Sequence, residues 1–280
     1  MSYRKTDNYV EGKVVIITGG SSGFGMITAQ KVAAMGGIPV IGARREDKLK
    51  EVADGIIAAG GQCYYKATDI SKKEDFEALV ALAIEKCGKV DVLVNNAGTM
   101  PLARFCSHKM AMPAWEQCID INLKGTLYGM CAVHDQMMAQ GSGQIINVSS
   151  VYANYPVAGA GVYQACKIGV KYLSDCFRKE CEGKIKVSTI MPSAIIGTGL
   201  FDCILETEAM MGMIGENMME AFGMLQEYPG RPDLQDTEGM ECFCATPEAL
   251  AENIVYLINQ PLGINISDIT VRGSNERWIL

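Results

Sequence analysis

Tyr163 and Lys167 stand four residues apart, and Ser150 stands thirteen residues before the tyrosine. If the run Tyr163-Gln164-Ala165-Cys166-Lys167 is helical, its phenol and ammonium share one face. A neighbouring cation favours the phenolate, so a group with an ordinary pKa near ~10 becomes a usable acid or base at neutral pH. The chemistry implied is proton transfer. A tyrosine and a lysine at this spacing also arise by chance on amphipathic helices, so the surrounding elements decide the reading.

Those elements alternate. Val14-Val15-Ile16-Ile17 is a continuous apolar run ending in a glycine cluster, the pattern of a strand buried on both faces of a parallel sheet. Met26 to Met35 reads as helix, Ile38-Pro39-Val40-Ile41 as strand and Glu46 to Ala59 as helix. Strand-like segments recur at Cys63 to Lys66, Val90 to Val94, Gln144 to Val148, Lys186 to Ile190 and Asp268 to Val271. Seven strands with helical crossovers predict an α/β fold, a Rossmann-type doubly wound seven-stranded parallel sheet with helices on both faces. The 280 residues fit one such domain, 1–280.

The pattern breaks between Ser193 and Thr246. Met210-Met211-Gly212-Met213-Ile214, Met218-Met219, Phe222, Met224 and Leu225 lead into the turn-rich Tyr228-Pro229-Gly230-Arg231-Pro232-Asp233. This reads as a helical excursion at about 193–246. It leaves the carboxyl edge of the sheet, where ligands bind, and so is expected to form an apolar substrate lid.

A net charge of −7 and the lack of any Lys/Arg-rich run argue against a nucleic-acid partner. The apolar runs are far shorter than the ~18 residues of a membrane-spanning helix. Met1 to Asp7 has no apolar core of a signal peptide, so a cytoplasmic location is expected. Eleven cysteines scattered through apparent helices and strands argue for reduced thiols. Cys242-Phe243-Cys244 lacks two further metal ligands, and neither His108 nor His134 adjoins another, so no metal is expected.

Thr18-Gly19-Gly20-Ser21-Ser22-Gly23-Phe24-Gly25 follows the first strand and opens the first helix. Gly19 allows the tight turn, Gly23 the approach of a pyrophosphate, and Gly25 close packing of helix on strand. The second strand ends Gly42-Ala43-Arg44-Arg45, where a carboxylate would suit the ribose of NAD. Arginine pairs instead with a 2′-phosphate, so NADP is expected. Asp69, in Thr68-Asp69-Ile70, can reach the adenine amino group or cap the next helix.

These residues together resemble the short-chain dehydrogenase/reductase family over nearly the whole chain. The likeness also rests on Asn95-Asn96-Ala97-Gly98, Asp120-Ile121-Asn122-Leu123-Lys124-Gly125 and Ile145-Ile146-Asn147-Val148-Ser149-Ser150. It implies Asn122, Ser150, Tyr163 and Lys167 as a catalytic tetrad, with Ser150 preferred to Ser149 for its thirteen-residue separation from Tyr163. It implies a coenzyme site of Gly19, Ser21, Ser22, Gly23, Phe24, Gly25, Arg44, Arg45, Asp69, Ile70, Asn96, Ala97, Gly98, Tyr163, Lys167, Pro192, Ile195 and Thr198. In one place the chain departs from the family pattern. Met191-Pro192-Ser193-Ala194-Ile195-Ile196-Gly197-Thr198 has Ser193 where the family has glycine, and Thr198 lies one place late, so backbone groups of Ala194 or Ile195 can serve instead.

The resemblance implies an NADP(H)-dependent oxidoreductase acting on a secondary alcohol or ketone. The Met-rich excursion, with Tyr155, Pro156 and Val157, points to a bulky apolar substrate such as a hydroxysteroid or bile acid. A small 3-hydroxy acid, a sugar-derived ketone or an acyl-thioester ketone is the alternative, with Arg104 or Lys109 to bind a carboxylate. A third reading is an NADP sensor without turnover. Asn122 to Met138 and Val162 to Cys181 match the helix pair that builds oligomers in the family, so a homotetramer or dimer is expected.

Overall fold

The computed structural model describes residues 7–210, 223 and 226–276. Seven strands form one parallel sheet: β1 (Val14–Thr18), β2 (Ile38–Ala43), β3 (Tyr64–Ala67), β4 (Val92–Asn95), β5 (Gly143–Val148), β6 (Ile185–Pro192) and β7 (Asp268–Val271). Their order is β3-β2-β1-β4-β5-β6-β7. The helices are α1 (Gly23–Ala34), α2 (Glu46–Ala58), α3 (Lys73–Cys87), α4 (His108–Cys118), α5 (Gly125–Gln140), α6 (Gly161–Glu180) and α7 (Pro247–Ile258).

The strand period of two explains the two helix layers. Val15 and Ile17 pack with Val32 of α1, Leu49 and Ile56 of α2, and Leu250 and Ile254 of α7. Val14 and Ile16 point the other way, onto Phe76 and Leu79 of α3 and Met130, Val133 and Met137 of α5. Every residue of β1, β5 and β6 is buried, as a strand covered on both faces requires. Each such aliphatic side chain stabilises the fold by about 1.5–3 kcal/mol.

The chain turns one way from β1 to β2 and the other way to β4, which opens a crevice at their carboxyl ends. Three local features shape it. Helix α1 begins at Gly23, three residues before the stretch that periodicity predicts, because the glycine turn itself becomes its first turn. Between α4 and α5 the chain forms a wide π turn, Ile119–Lys124, so Asn122 sits in a helix break and not in a regular helix. Between 193 and 246 the described chain includes short turns at Phe201–Cys203, Thr207–Met210 and Tyr228–Gly230 and an α turn at Pro232–Gln235, with Gly223, Gln226 and Glu227 also helical. Met211, Gly212, Met213, Ile214, Met218, Met219, Phe222, Met224 and Leu225 lie outside the described residues.

The described part of that segment is tied down on both sides. Leu205 and Glu206 donate their backbone N–H groups to the Leu102 carbonyl, each at 3.1 Å. Ile195 pairs with Ala245 in a single parallel bridge, which returns the chain to the sheet edge. No described helix is long and apolar enough to cross a membrane.

Candidate active site

A cleft of about 480 Å³ runs along the carboxyl ends of the strands. At one end the glycine turn binds back to the sheet, Gly19 N–H donating to the Gly42 carbonyl at 2.8 Å. Gly19 and Gly23 hold φ of +70° and +54°, a region that side chains disfavour. A Cβ on Gly25 would fall 2.5 Å from Asn96 Nδ2, so the helix packs as closely on the loop as the motif predicts. A Cβ on Gly23 would meet nothing nearer than Thr198, at 3.8 Å, which leaves open space in front of the first turn of α1. The N–H groups of a helical first turn have no intrahelical partner and favour an anion. This cradle fits a pyrophosphate.

Arg44 and Arg45 line the outer rim of the cleft and are exposed. Asp69 also lines it, but its Oδ1 accepts from Ser71 N at 3.1 Å and Ser71 Oγ at 2.7 Å, which makes it a cap for the turn that follows. Partial burial pushes the Asp69 carboxyl up; the Ser71 bonds and the Lys72 and Arg44 charges outweigh it and hold the group below its ordinary range. Ser21, Ser22, Phe24, Ile70, Ala97, Gly98, Pro192, Ile195 and Thr198 line the cleft as well.

Tyr163, Lys167 and Ser150 meet at the buried end. Helix α6 is laid on the sheet by a polar thread: Asn95 Nδ2 donates to Asn147 Oδ1 and Asn147 Nδ2 to Ser174 Oγ, both at 2.8 Å. Ser149 Oγ donates to the Lys167 carbonyl at 2.9 Å, while Ser150 Oγ accepts from Tyr152 N and hydrogen-bonds Tyr163. The geometry therefore gives the rival serines separate tasks and brings Ser150 to the phenol. Lys167 Nζ donates to the Val148 carbonyl at 2.9 Å and lies 5.6 Å from the centre of the Tyr163 ring.

Burial dominates the protonation of this pair. It pushes the Tyr163 phenol well above its ordinary value, against the Ser150 hydrogen bond that pulls it down. It lowers the Lys167 ammonium to about 8. The sequence expectation of a phenol drawn down by its lysine is thus reversed, because desolvation disfavours both charged forms. Tyr163 holds its proton firmly and Lys167 titrates just above neutrality.

Asn122 does not line the cleft. Its Nδ2 donates to the Thr99 carbonyl at 2.7 Å and its Oδ1 accepts from Thr99 N at 2.9 Å, so it pins the loop that carries Asn96, Ala97 and Gly98. Its side-chain amide is engaged there.

The substrate side also differs from expectation. Of the loop after Ser150, Val151 and Tyr152 face the cleft; Tyr155 and Pro156 are exposed, and Val157 is buried behind it. Gln164 holds that loop, donating to the carbonyls of Tyr152 and Tyr155 and accepting from Val157 N. The only sequence signal for this role was an amide beside Tyr163. Met100, Leu102, Leu200, Phe201 and Ile204 complete the wall. Arg104 is bound to Glu206, and neither it nor Lys109 lines the cleft. Ser193 does line it, and donates to Glu276 at 2.5 Å.

All eleven cysteines are free, and no three His, Cys, Asp or Glu side chains among the described residues lie together as metal ligands. Cys242 and Cys244 are buried, with Cys242 Sγ donating to the Cys244 carbonyl at 3.4 Å.

Residues 13–209 match the family model of the short chain dehydrogenases. The chain belongs to the short-chain dehydrogenase family. It is 38% identical over 272 residues to an uncharacterized oxidoreductase of Listeria innocua, a match covering 96% of this chain and 99% of the relative. An uncharacterized oxidoreductase of Staphylococcus saprophyticus is 32% identical over 269 residues, with 96% and 99% covered. Among solved structures it is similar to a 7α-hydroxysteroid dehydrogenase complexed with NADH and 7-oxo glycochenodeoxycholic acid, at 25% identity and a TM-score of 0.78 over 99% of each chain. The closed form of a serine dehydrogenase complexed with NADP+ is 26% identical, with a TM-score of 0.75 over 92% of this chain and 94% of that one. As a short-chain dehydrogenase, this chain is an oxidoreductase.

Proposed function

We propose that this short-chain dehydrogenase is NADP(H)-dependent and interconverts a secondary alcohol and a ketone on a bulky apolar substrate, of the hydroxysteroid or bile-acid kind. The observation that carries the substrate class is the wall beyond Tyr163. Met100, Leu102, Val151, Leu200, Phe201 and Ile204 are apolar, and the charged residues lining the cleft are Arg44, Arg45, Asp69 and Lys167. A small hydroxy acid would need a cation other than Lys167, which is bound to the Val148 carbonyl, for its carboxylate, and Arg104 is instead paired with Glu206. Likeness to the 7α-hydroxysteroid dehydrogenase supports the same reading.

Arg44 and Arg45 would take the 2′-phosphate, the glycine turn with Ser21, Ser22 and Phe24 the pyrophosphate, and Asp69 and Ile70 the adenine end. Asn96, Ala97, Gly98, Lys167, Pro192, Ile195 and Thr198 would hold the nicotinamide half. When bound, the coenzyme supplies the hydride donor or acceptor. Tyr163 gives its proton to the substrate oxygen during reduction and removes it during oxidation. Ser150 donates a hydrogen bond to the same oxygen, where negative charge develops. Lys167, charged below about pH 8, favours the phenolate left after proton transfer. Asn122 acts by fixing Thr99, and with it the loop under the nicotinamide.

The 193–246 segment is proposed as the substrate lid, with Leu200, Phe201 and Ile204 as its inner face. A homo-oligomer is proposed through α5 and α6, where Leu127, Ile168 and Tyr172 are exposed apolar side chains.

The test is to mix the protein with NADPH or NADH and a panel of oxo-steroids, keto acids and simple ketones, and follow nicotinamide absorbance. Oxidation of NADPH by oxo-steroids is expected. Preference for NADH would refute the role of Arg44, activity confined to small polar ketones would refute the substrate class, and coenzyme binding without turnover would make the protein a sensor.

A further inference from the structure

Glu276 lies just past β7 and its side chain is 2% exposed. Its Oε1 accepts a hydrogen bond from Ser193 Oγ at 2.5 Å, across 83 residues of sequence. Its Oε2 is buried and has no hydrogen-bond partner among the described residues. Ser193 occupies the place of the family's glycine after β6, lines the cleft, and donates its N–H to the Val271 carbonyl at 3.0 Å. The departure from the family pattern is therefore joined to a buried acid.

Several described neighbours of that acid bear on its charge. Burial pushes the carboxyl up to about 7; Ser193, Arg272 and the Gly273 backbone pull it down without overcoming burial. Arg272 Nη1 stands 3.5 Å from Oε1, too far for a strong charge-assisted bond. From the segment before α7 come the Cys244 and Cys242 thiols, and the Cys244 thiol is pushed up by burial and by Glu276. The nearby Glu241 carboxylate is bound to Asn275 at 3.0 Å. An ionised Glu276 would be a buried anion with one oxygen unpartnered among the described residues, which is costly, whereas the protonated acid fits.

We propose that Glu276 is a positioning residue: through Ser193 it holds the Pro192–Thr198 segment in the form that receives the nicotinamide, and it does so only while its carboxyl is protonated. The nicotinamide's place rests on the functional reading above; the coupling of Glu276 to the segment does not. A group raised in this way contributes stability that is complete below its ordinary value of 4.5 and is lost as pH rises through about 7.

Two readouts keep the claims separate. Hydrogen exchange of the 192–198 amides in the coenzyme-free protein, corrected for intrinsic exchange, should show protection falling about tenfold from pH 6 to pH 8. The dissociation constant of NADPH, from equilibrium titration, should rise by about the same factor. Glu276→Gln keeps the acceptor for Ser193 and removes the proton, so both quantities should stay within about twofold of the wild-type pH 6 values throughout. Ser193→Ala severs the coupling and should also remove the pH dependence. A fall with pH that persists in either variant, or no fall in the wild type, overturns the proposal. Should Glu276→Gln fail to fold, wild type against Ser193→Ala still decides. Were no NADPH bound at any pH, the functional reading would fail while the exchange data still judged Glu276.

Discussion

The two ends of the cleft handle charge in opposite ways. At the rim, Arg44 and Arg45 keep their guanidinium groups in water, where a cation is inexpensive and its attraction for phosphate is screened by salt. At the floor, Tyr163 and Lys167 are both buried, and desolvation drives each toward its neutral form. In the proposed function the rim charges set which coenzyme binds, while the floor sacrifices stability to keep a proton donor and a cation in reach of substrate. Floor substitutions should therefore abolish chemistry and relieve strain on the fold; rim substitutions should alter coenzyme choice and leave the fold untouched.

The largest effect is expected from Tyr163→Phe. It should lower turnover at least ~100-fold while coenzyme binding, measured by titration, stays near wild type. Activity that survived would remove Tyr163 from the mechanism.

Lys167→Met sharpens the contrast in stability. A lysine held at about 8 contributes stability that is complete above its ordinary 10.5 and is lost as pH falls through 8. At pH 7 the wild type therefore carries a penalty of at most about 3 kcal/mol. The variant should lose activity yet melt roughly 2–5 °C higher at pH 7, less whatever the unpaired Val148 carbonyl costs, with the gap closing toward pH 10. Calorimetry at the two pH values checks this, and a lower Tm at pH 7 would show that the Val148 hydrogen bond outweighs the buried charge.

Arg44→Ala should weaken NADPH binding about tenfold and leave NADH binding within about twofold, the loss expected for one charge-assisted contact. Added salt should narrow the wild-type preference for NADPH. Equal weakening of both coenzymes would place Arg44 elsewhere than at the 2′-phosphate. A smaller effect belongs to pH: the rate of ketone reduction should decline as pH rises through about 8, where Lys167 loses its charge.

Local pattern made the glycine-turn end of the cleft readable. The β1 run, the glycine turn and the Arg44 position lie within some thirty residues, and periodicity with glycine geometry suffices to place them. The Ser150, Tyr163 and Lys167 spacing was readable too, and the structure brings the three together. What escaped the sequence were choices among hydrogen-bond partners. Asn122 spends its amide on Thr99, Gln164 holds the loop before it, and Ser193 reaches Glu276 across 83 residues. The protonation of Tyr163 escaped for a related reason. Helical spacing shows that a cation is near, but burial, opposed by the Ser150 hydrogen bond, sets the protonation of the phenol, and burial belongs to the folded chain.

The central claim is that a buried phenol serves an apolar substrate chamber. It is tested most directly by kcat/KM along a series of ketones growing from a small aliphatic ketone to a full oxo-steroid, with NADPH saturating. A rise with each added apolar ring, about tenfold or more per step, is expected, with loss of that gain in Phe201→Ala. A flat or falling series would contradict it.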